Sequence, residues 1–385
     1  NNVAYYDSLS PALRDKASVQ CENCHGAGSQ HLANPERIGK AWDARVCAQC
    51  HDSQGFDHYP YPYDSSEHKK LPELFEEFPS LLSSSCAKCH SAEGFVRLAI
   101  HNDTTSSPEK VDPHAVSCVA CHDPHDRTLE NQLRWIGDVT LESGQVFRDA
   151  GKGSLCVICH QSRVSTDLET YINNNTTGPH YGPQADVLLG INAWTFGEDS
   201  HTDHVSVHKV VLQDVCVTCH MARIPSDGWS VEEGTLTGGH SFKITNTRET
   251  SSTGDDVSNY KNACLPCHLT MTSVDRVLMA GQDYDGNGRV EGIQTEIRGL
   301  LSRIAERLQE RYAGISVEDD LELSIPSALF NQFSFAEKAA IYNYRLFVRD
   351  GSFGVHNGRF TIEILQKSYL AFTLRSLKLD YPNAF

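Results

Sequence analysis

Fourteen cysteines occur in this 385-residue chain, and all of them fall into seven C-x-x-C pairs, each followed immediately by histidine. The pairs are Cys21 with Cys24, Cys47 with Cys50, Cys86 with Cys89, Cys118 with Cys121, Cys156 with Cys159, Cys216 with Cys219, and Cys264 with Cys267. The histidines that follow them are His25, His51, His90, His122, His160, His220 and His268. C-x-x-C-H is the attachment signature of c-type haem. Two thiols one helical turn apart can add to vinyl groups on one porphyrin edge, and the adjacent imidazole then ligates the iron from below. Structural zinc also uses such pairs, but it consumes two pairs per ion and does not ask for histidine after each. Disulfides do not ask for it either. With 19 histidines in 385 residues, seven placements of this kind by chance have odds on the order of one in a billion. The cysteines therefore read as the anchors of seven haem c groups.

That reading dictates the fold class. Hydrophobic residues make up 39% of the chain and mean hydropathy is −0.40, a thin supply for a conventional core of this size. Roughly 55 residues accompany each motif, so porphyrins must fill much of the interior; apolar burial drives folding whether it belongs to a side chain or a cofactor. The expectation is a mainly α chain with extensive loops and few short strands, built as a haem-packed core plus a C-terminal helical cap. Short helices at the attachment sites should be joined by loops that wrap haem edges, and the haem-free chain should not fold. Motif spacings of 26, 39, 32, 38, 60 and 48 residues exclude a solenoid of one repeating unit. The two wider gaps, 161–215 and 221–263, have room for ligand loops or short strands.

Residues 1–270 hold every motif and read as the heptahaem core, and 271–385 read as a helical C-terminal region. There, Ile293, Ile297, Leu300, Leu301, Ile304 and Leu308 recur at helical spacing within 292–312. Further helical patterns cover about 335–349 and 360–378. At the junction, Asp283, Asp285 and Asn287 followed by Gly288 match the start of an EF-hand loop, with Arg289 placed to offer a backbone carbonyl. Position 12 is Gln294 instead of the usual glutamate, so Glu291 or Glu296 would have to supply the missing carboxylate. The site reads as calcium-binding, with the role of pinning the helical cap; a plain Asp/Gly turn is the alternative.

An electron carrier needs both axial positions of each iron filled, whereas a catalytic haem keeps one open. Beyond the seven proximal histidines, twelve others remain: His31, His58, His68, His101, His114, His125, His180, His201, His204, His208, His240 and His356. Full bis-histidine ligation is thus within reach without methionine, of which there are three. The formal charge of −17 becomes about −24 with seven oxidised haems and about −31 with all reduced, counting their propionates. Such a chain avoids nucleic acid and anionic lipid, and suits partners with basic faces, cations or metal surfaces. No stretch approaches 18 apolar residues, so no membrane span is expected. The chain starts at Asn1 without a charged-then-apolar leader, as a mature secreted form would. Covalent haem attachment takes place outside the cytoplasmic membrane, which makes the expected location periplasmic or extracellular.

The segments CENCHGAGSQH (21–31), CHDPH (121–125), GPHYGPQADVLLG (178–190), CVTCHM (216–221), GGHSF (238–242) and DGSFGVHN (350–357) resemble those of a large multihaem superfamily. It contains the pentahaem nitrite reductases, hydroxylamine oxidoreductases and octahaem tetrathionate reductases, with many electron-transfer relatives. The resemblance implies distal ligands at His31, His125, His180, His240 and His356, and by SSEH and DSHT also at His68 and His201; His114 and His208 are the nearest substitutes. The nitrite and tetrathionate reductases resemble one another in an attachment motif ending in lysine, and all seven motifs here end in histidine. The hydroxylamine oxidoreductases carry a tyrosine cross-link to the active haem, for which the local sequence offers no sign. No catalytic residue carries over. The expected activity is electron transfer to other redox proteins, to copies of the same chain in a filament, or to an extracellular acceptor such as a metal oxide. The alternative is a reductase of a nitrogen or sulfur oxyanion with one five-coordinate haem.

Overall fold

The computed structural model describes residues 10, 19–29, 32, 42–51, 63–64, 66–69, 84–102, 114–164, 167–174, 177–197, 204–222, 238–244, 263–278, 281–376 and 380. The chain forms two compact units, Asn1–Trp135 with His220–Asn259, and Ile136–Cys219 with Tyr260–Phe385. The described residues are mostly helical with two small antiparallel hairpins, as the composition leads one to expect.

In the first unit, α1 (Cys21–His25), α2 (Ala44–His51), α3 (Ser84–His90), α4 (Ala92–Gly94) and α5 (Cys118–Cys121) are short, and four of the five carry an attachment motif. A π-helical turn, Phe95–Ile100, continues α4. Its described buried apolar side chains are few and mostly small: Ala87, Ala92, Val96, Val119 and Ala120, with the larger Phe95 and Tyr63.

The second unit opens with β1 (Val139–Thr140) paired to β2 (Val146–Phe147), then α6 (Ser154–Cys159), α7 (Leu168–Asn174), α8 (Gln184–Leu189), α9 (Val207–Val211) and α10 (Val215–His220). The gap 161–215 is therefore helix and loop among its described residues, and the strands lie at 139–147 and 316–324. The sixth motif straddles the division, because α10 continues to His220, where the first unit's second segment begins.

The helices α11 (Ile293–Arg311), α12 (Ser327–Phe330), α13 (Phe335–Asp350) and α14 (Gly358–Thr373), with β3 (Ser316–Val317) paired to β4 (Leu323–Ser324), build a conventional core. The predicted stripe on α11 is buried, Ile297, Leu300, Leu301 and Leu308 included. Helix α11 lacks a side-chain cap of its own, and the Asp275 carboxylate accepts from the backbone nitrogens of Gln294 at 2.8 Å and Thr295 at 3.3 Å instead. Helix α13 starts with a capping box between Ser334 and Glu337 and stops at Gly351, whose φ of 72° suits glycine. Asn357 caps α14 by accepting from Phe360 N, while its amide donates to the carbonyls of Val187 and His204.

The two compact units change over after Trp135, Cys219 and Asn259. The C-terminal helices belong with residues 136–219, because their polar residues fasten that stretch directly. Asn343 exchanges hydrogen bonds with both backbone groups of Trp194, and Tyr342 donates to Asn192 O at 2.8 Å. The helices expected as a C-terminal cap supply the main side-chain core of the second unit.

Candidate haem sites

The local geometry of the motifs is a single helical turn. The carbonyl of the first cysteine accepts from the histidine backbone nitrogen, also where the histidine lies just past the helix or in a turn: from His122 to Cys118 at 2.9 Å, from His160 to Cys156 at 2.8 Å and from His268 to Cys264 at 2.8 Å. Six motifs lie on or end named helices, and the seventh is a turn closed by the same bond.

None of the fourteen cysteines pairs with another in a disulfide. Cys21, Cys50 and Cys267 are exposed. Cys24, Cys47, Cys86, Cys89, Cys118, Cys121, Cys156, Cys159, Cys216, Cys219 and Cys264 are half-buried. The structure thus places the two thiols of each motif on one turn. In the first motif Cys21 is the more open of the two, in the second Cys50, and in the seventh Cys267.

A histidine that ligates a metal through Nε2 needs an acceptor at Nδ1 to fix its tautomer. This arrangement recurs. Nδ1 of His122 faces Asn131 O at 2.7 Å, that of His220 faces Phe242 O at 2.9 Å, and that of His160 faces Gln184 Oε1 at 3.0 Å. Among the spare histidines, Nδ1 of His180 faces Tyr181 O at 2.7 Å, that of His208 faces Val355 O at 3.1 Å, and that of His356 faces Asp350 Oδ1 at 2.7 Å. His268 departs from the pattern: its Nδ1 faces the Arg276 guanidinium at 2.7 Å. Burial first, and then the charges of Arg276 and His208, hold its pKa below the ordinary value.

Two imidazoles sharing one metal, each through a bond of about 2 Å, have ring centres roughly 6 Å apart. Three proximal histidines have such a partner. His25 lies 5.9 Å from His125, His122 lies 6.1 Å from His240, and His268 lies 6.1 Å from His208. The interplanar angles of 9°, 43° and 87° differ, as rotation about a metal–nitrogen axis allows. Burial, followed by the charge of His122, pushes the His240 pKa down to about 4, which keeps that imidazole neutral and able to ligate.

The fifth motif shows how the chain assembles a site from distant segments. His180 N donates to Ser162 O and Ala185 N to His160 O, both at 3.0 Å, so the GPHYGPQ segment lies along the motif's exit. Gly182, with φ of 86°, turns this segment so that Gln184 reaches His160. Gln184 also donates to Asp350 O at 3.0 Å, and the Asp350 carboxylate holds His356. Asp350 thus orients His160 through an amide and His356 directly. Asp350 raises the His356 pKa in spite of the opposing effect of burial. Buried Asp186 accepts from Ser162 N at 2.6 Å and from its hydroxyl at 2.8 Å, which locks the motif's exit.

Of the seven expected distal ligands, His125 and His240 face proximal histidines, and His180 and His356 join the His160 neighbourhood. His68 packs edge-on against Phe242 at 4.9 Å, beside the carbonyl that holds His220. His31 and His201 lie outside the described residues. Two histidines ranked only as substitutes in the sequence are placed like ligands. One is His208. The other is His114, whose Nδ1 is clamped by the Glu93 carboxylate and whose backbone nitrogen donates to the same carboxylate at 3.3 Å. The signal available for His208 was its apolar setting in VSVHKVV, in a chain short of apolar residues. Around the His208–His268 pair, Val207 is 72% and Leu269 83% exposed, a surface suited to a porphyrin face. The donor set, the held tautomers and the apolar flanks all fit haem.

The EF-hand-like loop brings Asp283, Asp285 and Glu296 together, all buried, with ligand atoms within 4.8 Å of one another. Gln294 at position 12 turns away and donates to Ser352 O. Glu296, two residues further on, takes its place and accepts from the backbone nitrogens of Tyr284, Asp285 and Glu291. Glu291 instead accepts from Asn287 Nδ2, and Arg289 N donates to Asn287 Oδ1. Burial, followed by repulsion from Glu296 and Asp283, pushes the Asp285 pKa up to about 6. A divalent cation would relieve that repulsion.

No protein-family model matches the chain, and no curated protein matches it in sequence. Among solved structures, the outer cell wall cytochrome OcwA aligns over 92% of this chain and 70% of its own, with a TM-score of 0.55 and 20% identity. The undecahaem cytochrome from the S-layer of Carboxydothermus ferrireducens aligns over 93% of this chain with a TM-score of 0.57 and 22% identity; the chain spans 50% of that protein's length. The chain has the fold of these multihaem cytochromes.

Proposed function

We propose that the chain is a c-type cytochrome that carries electrons along seven closely spaced bis-histidine haems, in periplasmic or extracellular respiration. Each haem would be bound through its motif's two thiols, from Cys21 and Cys24 to Cys264 and Cys267. The observation that carries this reading is the placement of spare histidines opposite proximal ones at the separation a shared iron needs. Haem supplies the redox couple. The chain's own residues set its properties: the paired imidazoles close the iron to substrate, and carbonyl or carboxylate acceptors at Nδ1 make the ligands more basic. Both effects favour low potentials compared with Met/His ligation. Mass spectrometry of the native protein should give the polypeptide plus seven haems, and its ferric spectrum should be wholly low-spin. A high-spin component that responds to nitrite or cyanide would favour the oxyanion reductase instead.

The two structural neighbours come from an outer cell wall and an S-layer, which agrees with a place outside the cytoplasm for this chain. Among the described residues, no helix is long and apolar enough to cross a membrane. Strong acidity suits redox partners with basic faces or a metal oxide acceptor. Assembly of copies into a filament is part of the proposal. Light scattering should then show growth with concentration, and a monodisperse monomer across the range would remove it.

Calcium is proposed for Asp283, Asp285 and Glu296. A site at one hundred times its dissociation constant contributes about 2.7 kcal/mol. Chelation should therefore lower the melting temperature of the second unit by about 5–10 °C, and added calcium should restore it. An unchanged melting curve would leave the loop as a plain turn.

A further inference from the structure

Attachment cysteines from different motifs meet at two places, each within one unit. In the second unit, Cys156 of the fifth motif and Cys216 of the sixth are in side-chain hydrogen-bonding contact. The flanking backbone builds the contact. Lys152 N donates to Asp214 Oδ1 at 2.9 Å, and Val157 and Val215 share one buried cluster against which Cys216 packs. Gly153 provides the room: a Cβ there would lie 3.2 Å from both the backbone nitrogen and Sγ of Cys216. Its φ of −73° is open to any residue, so this glycine is needed for space alone. In the first unit, Cys47 of the second motif touches Cys118 of the fourth in the same way. Beside them, Ser117 Oγ donates to Trp42 O, which ties the N-terminal ends of α2 and α5.

We propose that haems five and six are attached edge to edge through Cys156 and Cys216, and haems two and four likewise through Cys47 and Cys118. Forming a thioether leaves each sulfur on its own Cβ, so sulfurs in contact hold the two attachment edges together. The order of haems in space then departs from the order of motifs in the first unit, where two and four are neighbours, and follows it from five to six in the second. This inference rests on the covalent-haem reading.

The decisive measurement is a structure of the native holoprotein with its haems resolved. The expected result is van der Waals contact between the edges of haems five and six at Cys156 and Cys216, and between two and four at Cys47 and Cys118. Seven attached haems with these edges separated by protein or by another haem would overturn the order and leave the attachment reading standing. A count short of seven, with a Cys156–Cys216 or Cys47–Cys118 disulfide in the peptide map, would overturn both. A solution readout is Gly153→Val, whose branched side chain should push the fifth motif off the sixth. At an unchanged haem count, the paramagnetic interaction between two ferric irons should weaken; an unchanged interaction in the variant would count against the contact.

Discussion

Replacing His208 by alanine is expected to turn one iron in seven from low-spin to high-spin while the haem count stays at seven. His208 lies 6.1 Å from His268 between ring centres, and its Nδ1 faces Val355 O, so this imidazole is held where the distal ligand belongs. Its removal opens a coordination position that water or an added ligand can take. Cyanide should therefore bind the variant at one haem and leave the native protein unchanged. His208→Met should instead keep the iron low-spin and raise its potential, since thioether ligation favours the ferrous state. A fully low-spin alanine variant would show that the seventh iron draws its distal ligand from elsewhere. Cys264, Cys267 and His268 are untouched, so loss of the whole haem is not the expected outcome.

Producing the chain without haem attachment should unfold its two units to very different extents. Burying a large aromatic side chain removes roughly 200 Å² from water, and a porphyrin is larger, so each haem seat contributes on the order of 5 kcal/mol or more at about 25 cal/mol per Å². Among the described residues, the buried apolar side chains of the first unit are mostly alanine and valine. The second has the interlocked core of α11, α13 and α14, with Tyr344, Phe347 and Tyr369 fully buried. Circular dichroism should show residual helix from these segments, and hydrogen exchange should find protection in 293–373 and none in the first unit. Equal protection in both units would show that side chains alone suffice. This narrows the expectation drawn from composition: mean hydropathy describes the chain as an average, and the described buried apolar residues lie mostly in the second unit.

Much of the candidate site was legible because covalent attachment leaves a local signature. Cysteine, cysteine and histidine must lie within one helical turn of one another, so seven sites can be located without any tertiary information. The C-terminal helices were legible for a similar reason, since an amphipathic helix repeats its apolar residues with its own period. Observed bounds of Ile293–Arg311 and Phe335–Asp350 lie within a residue or so of the periodic stretches. The third helix stops at Thr373, short of the expected 378, where Leu374 takes a left-handed φ of 58°.

The distal ligands obey no such rule. An iron's second imidazole comes from whichever segment the fold carries across the porphyrin, and histidine has the same local chemistry at position 201, 204 or 208. Resemblance named His125 and His240, and gave His208 and His114 only as substitutes for other histidines that precede a motif. Only the tertiary structure shows that Val355 O and Glu93 hold these two rings in place. The same holds for Glu296, which stands beside Asp283 and Asp285 because α11 presents it from its first turn.

By itself, then, the sequence carries seven C-x-x-C-H motifs, the mainly helical class and a thin supply of apolar side chains over the chain as a whole. These follow from bonds and periodicities that act within a few residues. The tertiary structure alone decided that residues 136–219 share a unit with the C-terminal helices, which imidazoles face each other, and which attachment cysteines touch. Those depend on contacts between segments far apart in the chain, where packing space such as that beside Gly153 decides which neighbours can meet.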